Sequence, residues 1–526
     1  MNKSLFRTGT PVPKTNTHNN AGGTAYKSSD VQALAQYACT GVFNGTYYTQ
    51  AAEQLKMVEG LCKKVDAMDI AKIAVYARTE GFMKDVPAYL VTYLFAQKDE
   101  RSKAAFNLAF PIVINNVGQL RKFTRMVRSG VCGRRSFGSA GKRVISNMLN
   151  GMGVRRLFWQ SVGSDPSLAD VLKLAHVRPM DSEHDAFFAY MLGKAEPEDF
   201  EKLPENIQQF ELAKRGEYDG VPDVPFQRLN NLNLSTSQWG EVMRNMSWNQ
   251  LRFNLNNLAR KGVFKDREAV AYAAATLRDP KRVKGSRVLP YSMYSTYKAL
   301  GSDLPQALKN AMSDAMEIAV ANAPVLGGKT LVLVDVSGSM SASATGNQGK
   351  ATTSMTCSDV ASFFAASLLK ADPDNVTVKR FNTSVVRTNV NPRDSVASIT
   401  RELSRHEGGT TISCGIDWAL RLGAEFDNII VLSDNESWGN HRSWYTSTGN
   451  ATPLKSVFNT YKRKKKNAKL IAVNCSASTT TVQAPDDAST LNIGGLNDNV
   501  FKVISQFIES RGNTHWQDVL SQIKLD

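Results

Sequence analysis

The sequence predicts an α + α/β chain, in which an array of helical repeats is followed by a doubly wound parallel sheet. Three observations carry this. Residues 29–320 show 3.6-type apolar spacing in segment after segment, with short polar breaks and almost no strand signal. After Pro324, short β-branched runs alternate with helical segments, the pattern of a parallel sheet covered on both faces. Finally, Asp335-Val-Ser-Gly-Ser-Met340 follows the apolar run 330–334 directly. This puts one carboxylate and two hydroxyls on a loop at the C-terminal end of a buried strand, where open α/β sheets bind ligands.

At 526 residues the chain exceeds a single core. The spacing predicts helices over 30–38, 48–61, 69–78, 86–95 and 104–115, and Ser167 with Asp170 forms a capping box that opens a helix over 168–175. Stacked helical pairs, a solenoid-like array, follow from the short connections. In the C-terminal part, strands are expected at 331–334, 376–381, 385–389, 428–433 and 470–474. Helices are expected between and after them at 358–370, 395–403, 412–422, 453–464 and 500–510. Residues 1–28, rich in Asn, Thr and Gly, are expected to be a disordered tail. The domain division is then 1–28 tail, 29–324 helical array and 325–526 sheet domain. No run approaches the roughly 20 apolar residues of a membrane span, and the N-terminus lacks the apolar core of a secretory signal. Six scattered cysteines without a CxxC spacing suit reduced thiols in a cytoplasmic protein.

Two further segments complete a candidate metal site. Thr410 stands in Gly408-Gly-Thr-Thr411, at the start of a helix, and Asp434 ends the strand Val431-Leu-Ser-Asp434. Asp335, Ser337, Ser339, Thr410 and Asp434 offer hard oxygens, which suit Mg²⁺ better than zinc or copper. Enzyme readings fail on these residues. There is no nucleophile elbow around Ser339, no HExxH, and Gly328-Lys-Thr330 precedes its strand where a phosphate-binding loop would follow one.

The net charge of +16 is uneven. After residue 330 there are 20 Lys and Arg against 18 acids, leaving 44 against 30 before it. Residues 101–164 hold 12 Lys and Arg and no acid at all. Surfaces that face only water carry mixed signs, so this stretch points to a polyanion partner. Arg121, Arg125 and Arg128 share a helix face, with Phe123 and Val127 on another. Lys122 lies beside them, and Arg134, Arg135, Lys142 and Arg143 follow through a Gly/Ser-rich turn, then Arg155 and Arg156. Guanidinium groups bind phosphate bidentately, and glycines let backbone N–H groups approach a ligand. The run Lys462-Arg-Lys-Lys-Lys466 reads as a solvated helix face.

The five-residue oxygen set resembles the von Willebrand factor A domain and its metal-ion-dependent adhesion site. Thr40-Gly-Val-Phe-Asn-Gly-Thr-Tyr-Tyr48, Ala77-Arg-Thr-Glu-Gly-Phe-Met-Lys-Asp-Val-Pro87, Ser167-Leu-Ala-Asp-Val-Leu-Lys-Leu-Ala-His176 and Ser286-Arg-Val-Leu-Pro-Tyr291 resemble, in the same order, elements of the TROVE domain. A TROVE domain followed by an A-domain is the architecture of the Ro autoantigen family, and length and missing targeting segments suit a bacterial or phage-borne member. The resemblance implies a ring of HEAT-like repeats joined by the A-domain. It also implies small noncoding Y-like RNAs on the outer surface and single-stranded ends of misfolded RNAs in a basic central hole. A role in RNA quality control follows, with an exoribonuclease such as polynucleotide phosphorylase as a partner, for a monomeric protein that is not an enzyme. His176 matches the family histidine associated with Y RNA, but residues 159–164 are neutral where relatives are basic. The RNA-binding expectation therefore comprises Arg121, Lys122, Arg125, Arg128, Arg134, Arg135, Lys142, Arg143 and His176. The rival reading is a protein-interaction scaffold, with a Mg²⁺-dependent A-domain recruiting acidic partners.

Overall fold

The structure is a computed structural model. It describes residues 14–40, 51–286, 288, 290–321, 323–344, 355–436, 452–476, 478–481, 487–495, 498–509, 520 and 522–525. Two compact units emerge. One comprises Met1–Val65, Leu289–Lys298 and Ser313–Gln522, and the other Asp66–Val288, Ala299–Met312 and Ile523–Asp526.

The first unit is built on a sheet. Strands β1 (Thr17–His18) and β2 (Thr24–Lys27) form a small hairpin. The main strands are β3 (Thr330–Asp335), β4 (Val376–Phe381), β5 (Val385–Val386), β6 (Asn428–Ser433) and β7 (Lys469–Asn474), with β8 (Thr480–Thr481) and β9 (Thr490–Gly494) after them. Six of them pair in the order β5-β4-β3-β6-β7-β9, parallel throughout except for the antiparallel edge strand β5. The doubly wound sheet expected from the alternation is therefore present, with β9 as a strand the apolar patterning does not predict. β3 and β6 are buried along their whole length, which is why both are continuous runs of Val, Leu and Ile. Leu331, Leu333, Ile429 and Val431 pack one face against Ile416, Val457, Phe458 and Tyr461. The helix Cys357–Ala371 packs on β3 and β4 outside that cluster, and Phe364 stacks on Phe501 of Asp498–Glu509 with ring centroids 4.0 Å apart. Cysteines 39, 357, 414 and 475 are buried thiols.

Of the expected disordered tail, residues 1–13 lie outside the described residues, and residues 14–28 depart from it. Residues 14–28 are ordered, and β2 pairs antiparallel with both β1 and β8. Ala25 and Tyr26 are buried. A hairpin this short is marginal alone, and it gains its stability from the third strand, which lies over 450 residues away in sequence. The helix Asp30–Thr40 also belongs to this unit. Gly494 of β9 lacks the Cβ that would stand 2.9 Å from Gln36 Cγ and 3.0 Å from Thr40 Cγ2, so the helix approaches the strand closely.

The second unit is a helical-repeat array. Helices Ala67–Thr79, Asp85–Ala96, Glu100–Val113 and Val117–Ser129 succeed one another through short turns. Three of the four starts are capped by side chains: Asp66 accepts from the Met68 amide, Asp99 from Ser102 and Asn116 from Gln119. The capping box of Ser167 and Asp170 opens Leu168–Ala175 as expected. Phe95, Phe106, Phe110 and Phe137 surround Phe123, with ring centroids 5.1–6.3 Å apart. Among the described residues no helix is long and apolar enough to cross a membrane. The motif at 40–48 lies outside the described residues apart from Thr40.

Phe123 is fully buried at the centre of this cluster. Phe123→Ala is expected to destabilise the helical unit by about 3–5 kcal/mol. Urea unfolding followed by circular dichroism measures it, and a change below about 1 kcal/mol would contradict the packing account.

Candidate cation site and nucleic-acid interface

The sheet order places two chain exits side by side. β3 lies between β4 and β6, so successive connections leave β3 in opposite directions, a topological switch point. Asp335 ends β3 and Asp434 follows β6. The Ser433 hydroxyl donates to Asp335 Oδ2 at 2.6 Å, tying the two exits together. Asp335 Oδ1 accepts from the Ser337 amide at 2.9 Å, and the Ser337 and Ser339 hydroxyls lie 3.2 Å apart. The loop carrying Thr410 is anchored to the same place, because Gly338 N donates to Gly408 O and Glu407 N to Val336 O. All five residues are buried, with Asp335 at 0% and Asp434 at 4% exposure.

Burial, reinforced for Asp335 by the neighbouring Asp434 charge, pushes both carboxyls well above the usual carboxylate range. Two buried carboxylates side by side resist joint ionisation, and a cation between them removes that cost. The donor set fits a hard divalent ion such as Mg²⁺: two carboxylates, three hydroxyls and no nitrogen or sulfur ligand among the five. Among the described residues no three His, Cys, Asp or Glu side chains group closely enough to hold a metal ion, so an ion here would take its further ligands from the hydroxyls. Sequence reasoning missed Glu436. It is buried, its carboxyl is pushed up to about 7 by burial and then by Asp434, and its amide donates to Asp434 Oδ1 at 3.2 Å. The signal was the second acid in Ser433-Asp-Asn-Glu436, directly after a buried strand.

The nine side chains expected to bind RNA divide into groups. Arg121 donates to the carbonyls of Val162, at 2.7 Å, and Pro166. Gly163 has a φ of +117°, a conformation that favours glycine, and a side chain there would displace the Arg121 guanidinium. Lys122 pairs with Asp85 and Arg125 with Asp165. Arg134 donates to the carbonyls of Phe95, Ser136 and Phe137 and lies 4.1 Å above the Phe95 ring. These four hold the helical unit together. The spacing places Arg121, Arg125 and Arg128 as equivalent members of one face. Of these three, only Arg128 keeps its head group for something else, because the 162–166 loop folds over the other two.

Arg128, Arg135 and Lys142 line one cavity of about 510 Å³ together with Ser136, Phe137, Gly138, Ser139 and Leu174. No acid contributes to its wall. The helix Gly138–Asn150 begins at this cavity, and its N-cap residue Phe137 offers no side chain to the first-turn amides. Cations, hydroxyls and the start of a helix thus converge, a combination that suits phosphate oxygens. Arg143 is exposed on the same helix. His176 is exposed as the left-handed C-cap of Leu168–Ala175, with φ 50°. In the sheet unit, Lys462 donates to Ser489 Oγ at 2.7 Å and Lys465 pairs with Asp427 at 3.1 Å, so that basic run is partly tied down.

Residues 329–508 match the family described as the Ro60 vWA domain. The chain is 25% identical to the RNA-binding protein RO60 of Deinococcus radiodurans, an alignment that covers 96% of this chain and 99% of that protein. The crystal structure of the Deinococcus radiodurans RO (RSR) protein superposes with a TM-score of 0.59 and 19% identity, over 92% of this chain and 100% of that one. The fold is thus shared across both units.

The raised carboxyl at Asp335 fixes a sign. A carboxyl with a higher pKa in the fold than in the unfolded chain costs metal-free stability as pH rises from the ordinary carboxylate range through the raised value. Between about pH 5 and about pH 8, metal-free wild type is expected to lose melting temperature relative to Asp335→Asn. Mg²⁺ should restore it in wild type only, and more at the upper pH, since the ligands must be deprotonated. Differential scanning fluorimetry checks this; equal Mg²⁺ shifts in both proteins would contradict the site.

Proposed function

We propose that this chain, whose residues 329–508 match the Ro60 vWA domain family and which is similar over 96% of its length to a Deinococcus RNA-binding protein, is an RNA-binding protein whose helical unit takes the phosphate backbone at the cavity of Arg128, Arg135 and Lys142. The observation that carries the reading is that cavity: three cations, two serine hydroxyls and a helix N-terminus, with no acid in the wall. The RNA-binding name of the Deinococcus relative supports it. The RNA classes proposed are Y-like noncoding RNA and the single-stranded ends of misfolded RNA, in a scaffolding role in RNA quality control. The proposed role is binding without catalysis. Ser337 and Ser339 hydrogen-bond each other, not a histidine, so neither is set up as a nucleophile.

A second reading concerns the sheet unit. The cradle of Asp335, Ser337, Ser339, Thr410 and Asp434 supports Mg²⁺-dependent recruitment of an acidic, carboxylate-bearing partner; an exoribonuclease such as polynucleotide phosphorylase is the partner proposed with the RNA-binding reading. The two readings assign separate tasks to separate units.

The test is fluorescence anisotropy with a labelled single-stranded RNA across a salt series. Each phosphate contact contributes about −0.7 to the slope of log K against log salt. Combining Arg128→Glu, Arg135→Glu and Lys142→Glu is expected to cut affinity at least about tenfold and to flatten the slope by about 2. Arg121→Glu is expected instead to lower melting temperature, since it strips the 162–166 loop of its donor. Wild-type affinity and slope in the triple variant would overturn the assignment.

A further inference from the structure

We infer that Glu436 is a positioning residue for the cation site, and that the N-terminal hairpin is the part of the chain that holds it in place. The inference rests on the cation reading of Asp335 and Asp434. Nothing in the motif of that site includes either Glu436 or residues 14–28.

The connection can be followed atom by atom. Between β1 and β2 the chain turns at Asn19–Gly22, closed by Gly22 N to Asn19 O at 3.0 Å and by Gly23 N to Asn19 Oδ1 at 2.7 Å. Three donors of this turn reach the loop after β6. Asn20 Nδ2 donates to Glu436 Oε1 at 2.8 Å, Ala21 N donates to Glu436 Oε2 at 3.1 Å, and Asn19 Nδ2 donates to Asn435 O at 3.3 Å. Both oxygens of one buried carboxylate are therefore satisfied by the hairpin. Glu436 in turn donates its amide to Asp434 Oδ1 at 3.2 Å. On the other side, Asn435 N donates to Ser433 Oγ, and Ser433 Oγ donates to Asp335 Oδ2. Each carboxylate of the cation site is thus held by a residue of the 433–436 loop.

Contacts on both sides hold this loop. Asn435 has a φ of +64°, a left-handed conformation that asparagine tolerates, and it is fixed there by its carbonyl accepting from Asn19 Nδ2 and its amide donating to Ser433 Oγ. Glu436 is 3% exposed, Asn435 4% and Asn19 6%. Without the hairpin, the Glu436 carboxylate would lose its two donors while still buried. The loop would then open to hydrate it, because a buried, unsatisfied carboxylate is costly. Opening moves the Glu436 amide off Asp434. The hairpin itself is fixed by β2–β8 pairing and by burial of Ala25 and Tyr26, so the turn is presented from an ordered base. Cation binding and hairpin docking are then linked, and each must favour the other to the same extent.

The experiment uses the full chain and Mn²⁺ as the probe, with binding followed by electron paramagnetic resonance. Hydrogen exchange of residues 19–27 is recorded with and without the metal. Glu436→Ala is expected to weaken Mn²⁺ about tenfold, the loss typical of a residue that orients a ligand. Asn20→Ala removes one of two donors and is expected to cost about threefold. Asn20→Asp, which sets carboxylate against carboxylate, should cost at least as much as Glu436→Ala. Glu436→Gln keeps an acceptor oxygen and should return to within about threefold of wild type, a rescue that a loss of charge would not allow. Mn²⁺ should slow exchange in the hairpin of wild type but not of Asn20→Asp. Wild-type Mn²⁺ affinity in both Asn20 variants and in Glu436→Ala, with Asp335→Ala alone abolishing binding, would overturn this inference and leave the cation site standing. Equal behaviour of wild type and Asp335→Ala would overturn both. A Gln variant as weak as the Ala variant would also overturn the positioning role. The Asn20 variants, at a part-exposed turn, keep the test open if Glu436→Ala fails to fold.

Discussion

Two carboxylates buried beside each other at adjacent strand ends govern the chemistry of the sheet unit. Asp335 and Asp434 sit where they do because β3 and β6 are neighbours in a parallel sheet, so both strands deliver their C-terminal ends to one edge. Continuous Val, Leu and Ile runs keep those strands buried and the ends rigid. A pair of like charges in such a place must be protonated, solvated or bridged by a cation. The serine and threonine hydroxyls around it add ligands without adding charge. They also keep the apolar core from closing over the site, so the same residues that suit a cation make the metal-free state the costlier one.

The helical unit solves a different electrostatic problem. Its stretch 101–164 has no acid of its own, yet several of its cations are paired, because Asp85, Asp165 and Asp223 reach in from neighbouring segments to Lys122, Arg125 and Arg155. A count of acids along a sequence window cannot see partners supplied across a helical array. It also cannot see backbone carbonyls, which are the partners of Arg121 and Arg134. Of the nine expected side chains, those with no acid or carbonyl partner among the described residues are Arg128, Arg135 and Lys142 at the cavity, with exposed Arg143 and His176.

The legibility of the fold follows the range of the interactions involved. Strands and helices of the sheet unit were readable because period-2 and period-3.6 patterns are local. Asp335 was readable because a carboxylate seldom ends a buried apolar run unless its charge is used there. The capping box at Ser167 is likewise a four-residue signal. The N-terminal hairpin was not readable. Asn, Thr and Gly dominate it, and its order comes from β8 and from Glu436, both more than 400 residues away. β9 was missed for a related reason. Thr490–Gly494 ends in glycine, a poor strand residue on propensity, and that glycine is there for the close approach of Gln36 and Thr40.

Carbonyl partners and acid partners differ in a way that bears on the polyanion reading. A carboxylate cancels the charge of the cation it meets, so Lys122, Arg125 and Arg155 contribute little to the field beyond their immediate surroundings. A carbonyl satisfies the donors of a guanidinium and leaves the full positive charge in place. Arg121 and Arg134 therefore rigidify the helical unit and still add to the potential around it, which acts over about 8–10 Å at moderate salt. Arg134 stands close to the cavity, since it donates to the carbonyls of Ser136 and Phe137, both of which line the cavity wall. The net charge of the N-terminal portion is thus carried by two populations. In the proposed RNA-binding reading, the first would touch a phosphate directly and the second would draw it in.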